Sequence, residues 1–194
     1  DAGLELDEIL LIDSLQKSGK LKIRIYGMCT DSPENFEYFF KKGIYKTEQL
    51  NIRSFKFYAD GSLGSRGAYL SLPYSDQPDH YGFLLKNQDY FLEKGKLLFK
   101  NGFQMNTHCI GDKANKTMLD IYGKILTGKN DKRWRIEHAQ VVNPVDFKLF
   151  SEYSVIPSVQ PIHATSDMYW AEKRLGKERM KGAYAYQSLI TSSG

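Results

Sequence analysis

The order of periodic segments constrains this chain most, because strand-like and helical patterns alternate from end to end. Leu4, Leu6, Ile9, Leu10, Ile12 and Leu15 recur at helical spacing and Ser18-Gly19 supplies a stop, which predicts a helix over about 4–17. Leu21, Ile23 and Ile25 then alternate with Lys22, Arg24 and Tyr26, predicting a strand over 20–27. Asp31-Ser32-Pro33-Glu34 offers a cap residue and a first-turn proline for a helix running to about Lys42. Further on the pattern predicts a strand over 52–59, a Gly-, Ser- and Pro-containing excursion over 61–86, and a helix over 88–101. A strand over 104–109, a helix over 113–126 and a strand over 133–138 follow, then a helix opened by Asn143-Pro144 and a strand over 155–159. Such an order predicts parallel strands joined by helical crossovers, in a doubly wound sheet or a (β/α) barrel.

Composition narrows the partners. Lys plus Arg number 27 against 23 Asp plus Glu, a net +4, and the charges are scattered, so no nucleic-acid footprint is expected. Apolar runs such as Ile9-Leu10-Leu11-Ile12 fall far short of the roughly 18 residues of a membrane helix, so no membrane partner is expected. The two cysteines, Cys29 and Cys109, are too few for a disulfide scaffold and are read as thiols. No Gly-x-Gly-x-x-Gly or Gly-x-x-x-x-Gly-Lys-Ser/Thr turn occurs, which weakens nucleotide binding. Asp1 stands where a whole translation product has Met, and Thr191-Ser192-Ser193-Gly194 closes no element, so a piece of a longer chain is expected. The expected location is cytoplasmic, with any leader lying ahead of Asp1.

Polar residues gather where such folds bind ligands. Lys56 and Asp60 lie in and after one predicted strand, His108 ends the next, Glu137-His138 end another, and Gln160 and His163 follow the last. Carboxyl ends of parallel strands are where α/β enzymes place their chemistry. A single histidine there is commonly a structural polar group, but three of the four histidines fall at such ends, which makes a divalent-metal site the natural expectation. Lys56 sits between Phe55 and Phe57, so its ammonium faces an interior that must neutralise it. An ion pair with an interior carboxylate is one answer. The other is a neutral amine favoured by burial, able to add carbon dioxide and become a carbamate that ligates metal. Asp112 is read chiefly as a helix cap, His80 as a surface-loop residue, and Tyr184 and Tyr186 as packing. Arg66, in the 61–86 excursion, is either a partner for a substrate carboxylate or part of a solvated turn.

With these residues in place the chain resembles the amidohydrolase superfamily, in particular amidohydrolase family 3, whose members include N-substituted formamide deformylase. The resemblance rests on Lys56-Phe57-Tyr58-Ala59-Asp60-Gly61-Ser62-Leu63-Gly64-Ser65-Arg66, on His108-Cys109-Ile110-Gly111-Asp112-Lys113-Ala114-Asn115, and on Arg135-Ile136-Glu137-His138-Ala139-Gln140. Ser158-Val159-Gln160-Pro161-Ile162-His163-Ala164-Thr165-Ser166-Asp167 and Arg174-Leu175-Gly176 continue it in collinear order. It implies a (β/α)8 TIM barrel with one or two divalent ions, usually zinc, at the strand ends. Lys56 matches the lysine that is typically carboxylated, and His108 and His138 match metal-ligating histidines. Asp60, Arg66, Gln160 and His163 are then candidates for substrate contact or for support of the ligands. The implied reaction is hydrolysis of an amide- or formamide-type C–N bond in a small molecule by metal-activated water.

The chain departs from the family pattern in holding no His-x-His pair. The aspartate that acts as general base in the family is expected beyond the C-terminus. Residues 1–194 are therefore expected to form a single, incomplete barrel covering roughly strands two to seven. As a fragment it is expected to be inactive, with little or no bound metal, and open barrel edges would favour self-association. A non-catalytic barrel relative, acting as a binding or regulatory domain, is the alternative.

Overall fold

A computed structural model describes residues 1–193 and divides them into two compact units. The first comprises Asp1–Phe57 and Leu97–Asn106. It opens with strand β1 (Ala2–Leu4) and helix α1 (Leu6–Lys17), where the Glu8 carboxylate accepts from Glu5 N at 2.8 Å and so occupies one of the donors a helix start leaves over. Strand β2 (Ile25–Thr30) leads into α2 (Pro33–Lys42). The predicted cap holds there: Ser32 Oγ accepts from Asn35 N, Pro33 occupies the first turn, and Gly43, at φ 79°, ends the helix. A short strand β3 (Tyr45–Lys46) pairs antiparallel with β4 (Leu50–Tyr58), whereas β1 with β2 and β2 with β4 are parallel. Within this unit the strand order is β1-β2-β4, followed by the start of β5 (Gln104–Cys109).

Residues 20–24 correct one expectation. Beyond Gly19 the chain turns back, with Lys20 N and Leu21 N both donating to Leu15 O, and Ile23 is 61% exposed. The strand begins only at Ile25 and carries the buried run Gly27-Met28-Cys29. A strand covered on both faces reads as continuous small and apolar residues, so the alternation over 20–24 marked a surface turn, while 25–27 lie in the strand as expected. Gly27 has a reason of its own, since a Cβ there would stand 2.6 Å from Ile52 Cδ1 and 2.9 Å from Leu4 Cδ1. Beside this sheet an aromatic core forms, with Phe36 stacked on Phe55 at 4.7 Å and Phe103 edge-on to Phe55 at 5.4 Å.

The second unit comprises Tyr58–Lys96 and the residues from Thr107 on. Helix α3 (Gln88–Lys100) begins in it, and α4 (Asp112–Leu126) follows the end of β5. Strand β6 (Arg135–His138) pairs in parallel with β7 (Ile156–Ser158), with Glu137 opposite Ser158, and the order is β5-β6-β7. Between β6 and β7 the Asn143 side chain caps a 3-10 turn (Pro144–Asp146) that runs into α5 (Phe147–Glu152). Helices α6 (Ile162–Asp167), α7 (Ala171–Leu175) and α8 (Tyr186–Ser193) close the described chain. Trp134 is fully buried and edge-on to Tyr122 of α4 at 4.9 Å.

The 61–86 excursion is irregular, as expected, yet it is not loose. Leu63, Ala68, Leu70 and Tyr74 from it share a buried cluster with Ile110, Val141, Leu175 and Ala183. Cys29 and Cys109 are both buried and neither forms a disulfide. Among the described residues no helix is long and apolar enough to cross a membrane.

Candidate metal centre

The strand order of the second unit brings the ends of β5 and β6 together, and with them two histidines. The imidazoles of His108 and His138 lie edge-on with ring centroids 4.6 Å apart. His163, in the first turn of α6, adds a third ring, 5.6 Å from that of His138. Gln160 joins them through its Oε1, 2.6 Å from His138 Nδ1. Tyr58, half-exposed, lies with its ring 5.5 Å from that of His108.

The backbone at this point is unusual. His138 and Ala139 have φ values of 75° and 43°, a left-handed pair at the end of β6. Non-glycine residues in that region cost roughly 1–3 kcal/mol each and persist only where surrounding contacts impose them. Here Val141 N donates to Ile110 O at 2.9 Å and Tyr184 N donates to Gln140 O at 2.8 Å, fixing the chain directly after the strained pair.

Asp60 underlies the histidines. Its carboxylate is buried and accepts three backbone N–H groups, from Tyr69 at 2.8 Å, Ile110 at 2.9 Å and Gly111 at 2.8 Å. One oxygen also lies 3.7 Å from His108 Nε2. Burial pushes this carboxyl up to about 7, against the pull of the three donors. The role of Asp60 is thus visible in the geometry: it ties the chain after β4 to the excursion and to the turn that follows His108.

Other candidates resolve differently. Arg66 has its guanidinium on Asp76, with Nε at 3.1 Å and Nη2 at 2.9 Å, and Arg174 Nη1 bonds the same carboxylate. Arg66 is therefore part of a clasp that holds the excursion against α7. His80, taken as a surface-loop residue, is half-buried, shares a hydrogen bond with Arg66 O at 2.7 Å and stacks on Tyr74. Asp112 does not cap α4 through its side chain; it accepts from Ser71 N and Ser71 Oγ, and the helix start is satisfied by Tyr69 O, which accepts from Lys113 N and Ala114 N. Glu137 pairs with Arg135 at 2.7 Å. Lys56 belongs to the first unit, where it sits on β4 opposite Thr30 and only 4% exposed between two fully buried phenylalanines.

Gln140 and Asp167 were not singled out in the sequence, and Tyr184, read as packing, makes polar contacts with both. Gln140 Nε2 donates to Asp167 Oδ2 and to Tyr184 Oη, both at 3.1 Å, and the Tyr184 hydroxyl donates to Asp167 at 2.8 Å. Burial and the neighbouring carboxylate hold the Tyr184 phenol well above its ordinary range. Because Gln140 and Tyr184 are 44 residues apart, no local spacing could announce this contact.

The donor chemistry fits a divalent ion. Neutral imidazoles suit zinc and its neighbours, and two such rings lie side by side at these strand ends. Among the described residues no group of three or more His, Cys, Asp and Glu could hold a metal ion.

Residues 3–192 match the model of the amidohydrolase family. The chain is 36% identical over 156 residues to Protein LONG AFTER FAR-RED 3 of Arabidopsis thaliana, covering 79% of the chain and 27% of that protein. It is 34% identical over 145 residues to the putative amidohydrolase YtcJ of Bacillus subtilis, covering 73% of the chain and again 27% of the relative. Among solved structures, an uncharacterized metal-dependent hydrolase from Pyrococcus horikoshii superposes with a TM-score of 0.88 at 30% identity, over 98% of this chain and 38% of that one. The chain thus spans about a quarter of the length of these two curated relatives. Its parallel α/β fold is consistent with part of a TIM barrel of the metal-dependent hydrolase type.

Proposed function

Since this chain belongs to the amidohydrolase family, we propose that it contributes part of the catalytic domain of a metal-dependent hydrolase that cleaves amide- or formamide-type C–N bonds in small molecules. The observation that carries the reading is the pair of imidazoles 4.6 Å apart at neighbouring strand ends. His108 and His138 would hold a divalent ion, zinc in this reading, and Lys56 would carry the carbamate that the family resemblance implies. What supports the last assignment is the burial of Lys56 on β4, since a buried lysine amine, once neutral, can add carbon dioxide. The ion, when bound, supplies Lewis acidity toward a carbonyl and makes water acidic enough to be deprotonated near neutral pH.

The chain's own residues do the positioning. Asp60 fixes the turn after His108 through Ile110 N and Gly111 N, and so holds the strand end that carries the β5 imidazole. Gln160 holds the His138 ring, and His163, partly exposed beside it, is placed to donate to a substrate oxygen. Arg66 acts through the excursion that it and Asp76 clasp.

The 194-residue chain holds no His-x-His pair, so in this reading it does not turn over substrate by itself. The whole protein is the object to assay, against a panel of amides and formamides with metal analysis alongside. Retained divalent metal and hydrolysis that falls at least about 100-fold in His138→Ala would support the reading. Metal-free protein that still hydrolyses the panel would overturn it.

A further inference from the structure

We propose that Gln160 is a positioning residue that fixes the tautomer of His138, so that this imidazole carries its proton on Nδ1 and its lone pair on Nε2. The inference deepens the metal-centre reading, and rests on it for the use made of Nε2. Gln160 Nε2 donates to Ser158 O at 3.1 Å, which turns the amide so that Oε1 faces His138 Nδ1 at 2.6 Å. An amide oxygen has no proton to give, so the hydrogen bond requires the N–H on the imidazole side. A neutral imidazole has one proton, and Nε2 is then its only acceptor nitrogen.

Both ends of Gln160 are secured. The Tyr186 hydroxyl donates to Gln160 O at 3.0 Å and anchors the backbone to the first residue of α8, while Ser158 O holds the side-chain amide. His138 meets it from the left-handed backbone at φ 75°, so the direction of the ring is set by the strained strand end and its proton by the glutamine. Metal-ligating histidines commonly donate their second N–H to an oxygen acceptor, which orients the ring. A neutral amide does this without adding a negative charge beside the ligand, unlike a carboxylate in the same place.

The test is long-range 1H–15N correlation of the 15N-labelled chain at about pH 8, above the ordinary imidazole range of about 6.5. The wild-type chain, Gln160→Glu and Gln160→Met are compared. The expected result is a protonated-type Nδ1 and an unprotonated-type Nε2 for His138 in the wild type and in Gln160→Glu, which keeps an acceptor oxygen, with that pattern lost in Gln160→Met. A wild-type His138 protonated on Nε2, or a Gln160→Met spectrum identical to wild type, would overturn the proposal. The wild-type spectrum decides even where Gln160→Met does not fold. Zinc added to the whole protein, with and without Gln160→Met, separates this inference from the reading beneath it. Perturbation of His138 Nε2, about 10-fold weaker in apparent affinity for Gln160→Met, supports both. The Nδ1–H pattern without any zinc response at His108 or His138 supports the tautomer assignment and overturns the metal reading.

Discussion

The Asp60 carboxylate accepts the backbone N–H of Gly111 at 2.8 Å across 51 residues of sequence, and through it the second residue beyond β4 governs the turn after His108. Replacing Asp60 with Ala leaves the N–H groups of Tyr69, Ile110 and Gly111 buried without this acceptor. Each such donor costs about 1–3 kcal/mol, so the expected loss is at least about 3 kcal/mol in urea unfolding. Asp60→Asn, which keeps one acceptor oxygen, should lose less. Equal unfolding midpoints for wild type and Asp60→Ala would contradict this account.

Gly111 is required for space rather than for its backbone angle. A Cβ there would lie 2.0 Å from Tyr69 O, the carbonyl that satisfies Lys113 N and Ala114 N at the start of α4. Gly111→Ala must push the excursion off the helix, and a destabilisation of about 2–4 kcal/mol is expected. Calorimetry measures it, and an unchanged melting temperature would refute the close approach.

The Arg66–Asp76–Arg174 clasp should weaken in acid. The Arg66 hydrogen bonds hold the Asp76 carboxyl below its ordinary range, with Arg174 adding to the pull against partial burial. A depressed carboxylate gives stability that is fully present above its unfolded value near 3.8 and is lost as pH falls through the lower folded value. Pepsin cleavage within 61–86 should therefore accelerate as pH drops below about 3.8. Asp76→Asn should already be cleaved quickly at higher pH and show a flatter profile. An identical profile for both proteins would remove the clasp from the account.

Cys29 should be inert in the folded chain. Burial pushes its thiol up to about 12, and only thiolate attacks a disulfide reagent. At about pH 8 the thiolate is then on the order of one part in ten thousand, so labelling by an aromatic disulfide should track unfolding in urea. Labelling of Cys29 at the rate of a small free thiol, without denaturant, would contradict its burial.

Much of the fold was legible because burial writes itself into local pattern. The strand at 104–109 and the helix over 113–126 match β5 and α4 to within a residue, since each carries its own periodicity and stop. The strand ends that carry His108 and His138 were legible for the same reason. Leu21 and Ile23 misled because alternation records a pattern of side chains, not what covers them; the covered strand is the small and apolar run that follows. Of the candidate site, His138 and Gln160 were found individually, whereas their hydrogen bond across 22 residues was not. The Gln140–Asp167–Tyr184 contacts and the Arg66–Asp76 clasp stayed hidden because each depends on how distant turns pack, which no window of sequence contains.

The central claim is that His108 and His138 offer nitrogens to one divalent ion, and anomalous diffraction from crystals of the whole protein grown with zinc tests it most directly. The account predicts a single strong zinc peak within about 2.0–2.1 Å of one nitrogen of each ring, that of His138 being Nε2. Zinc bound elsewhere while both imidazoles keep their 4.6 Å contact and hold no ion would contradict it.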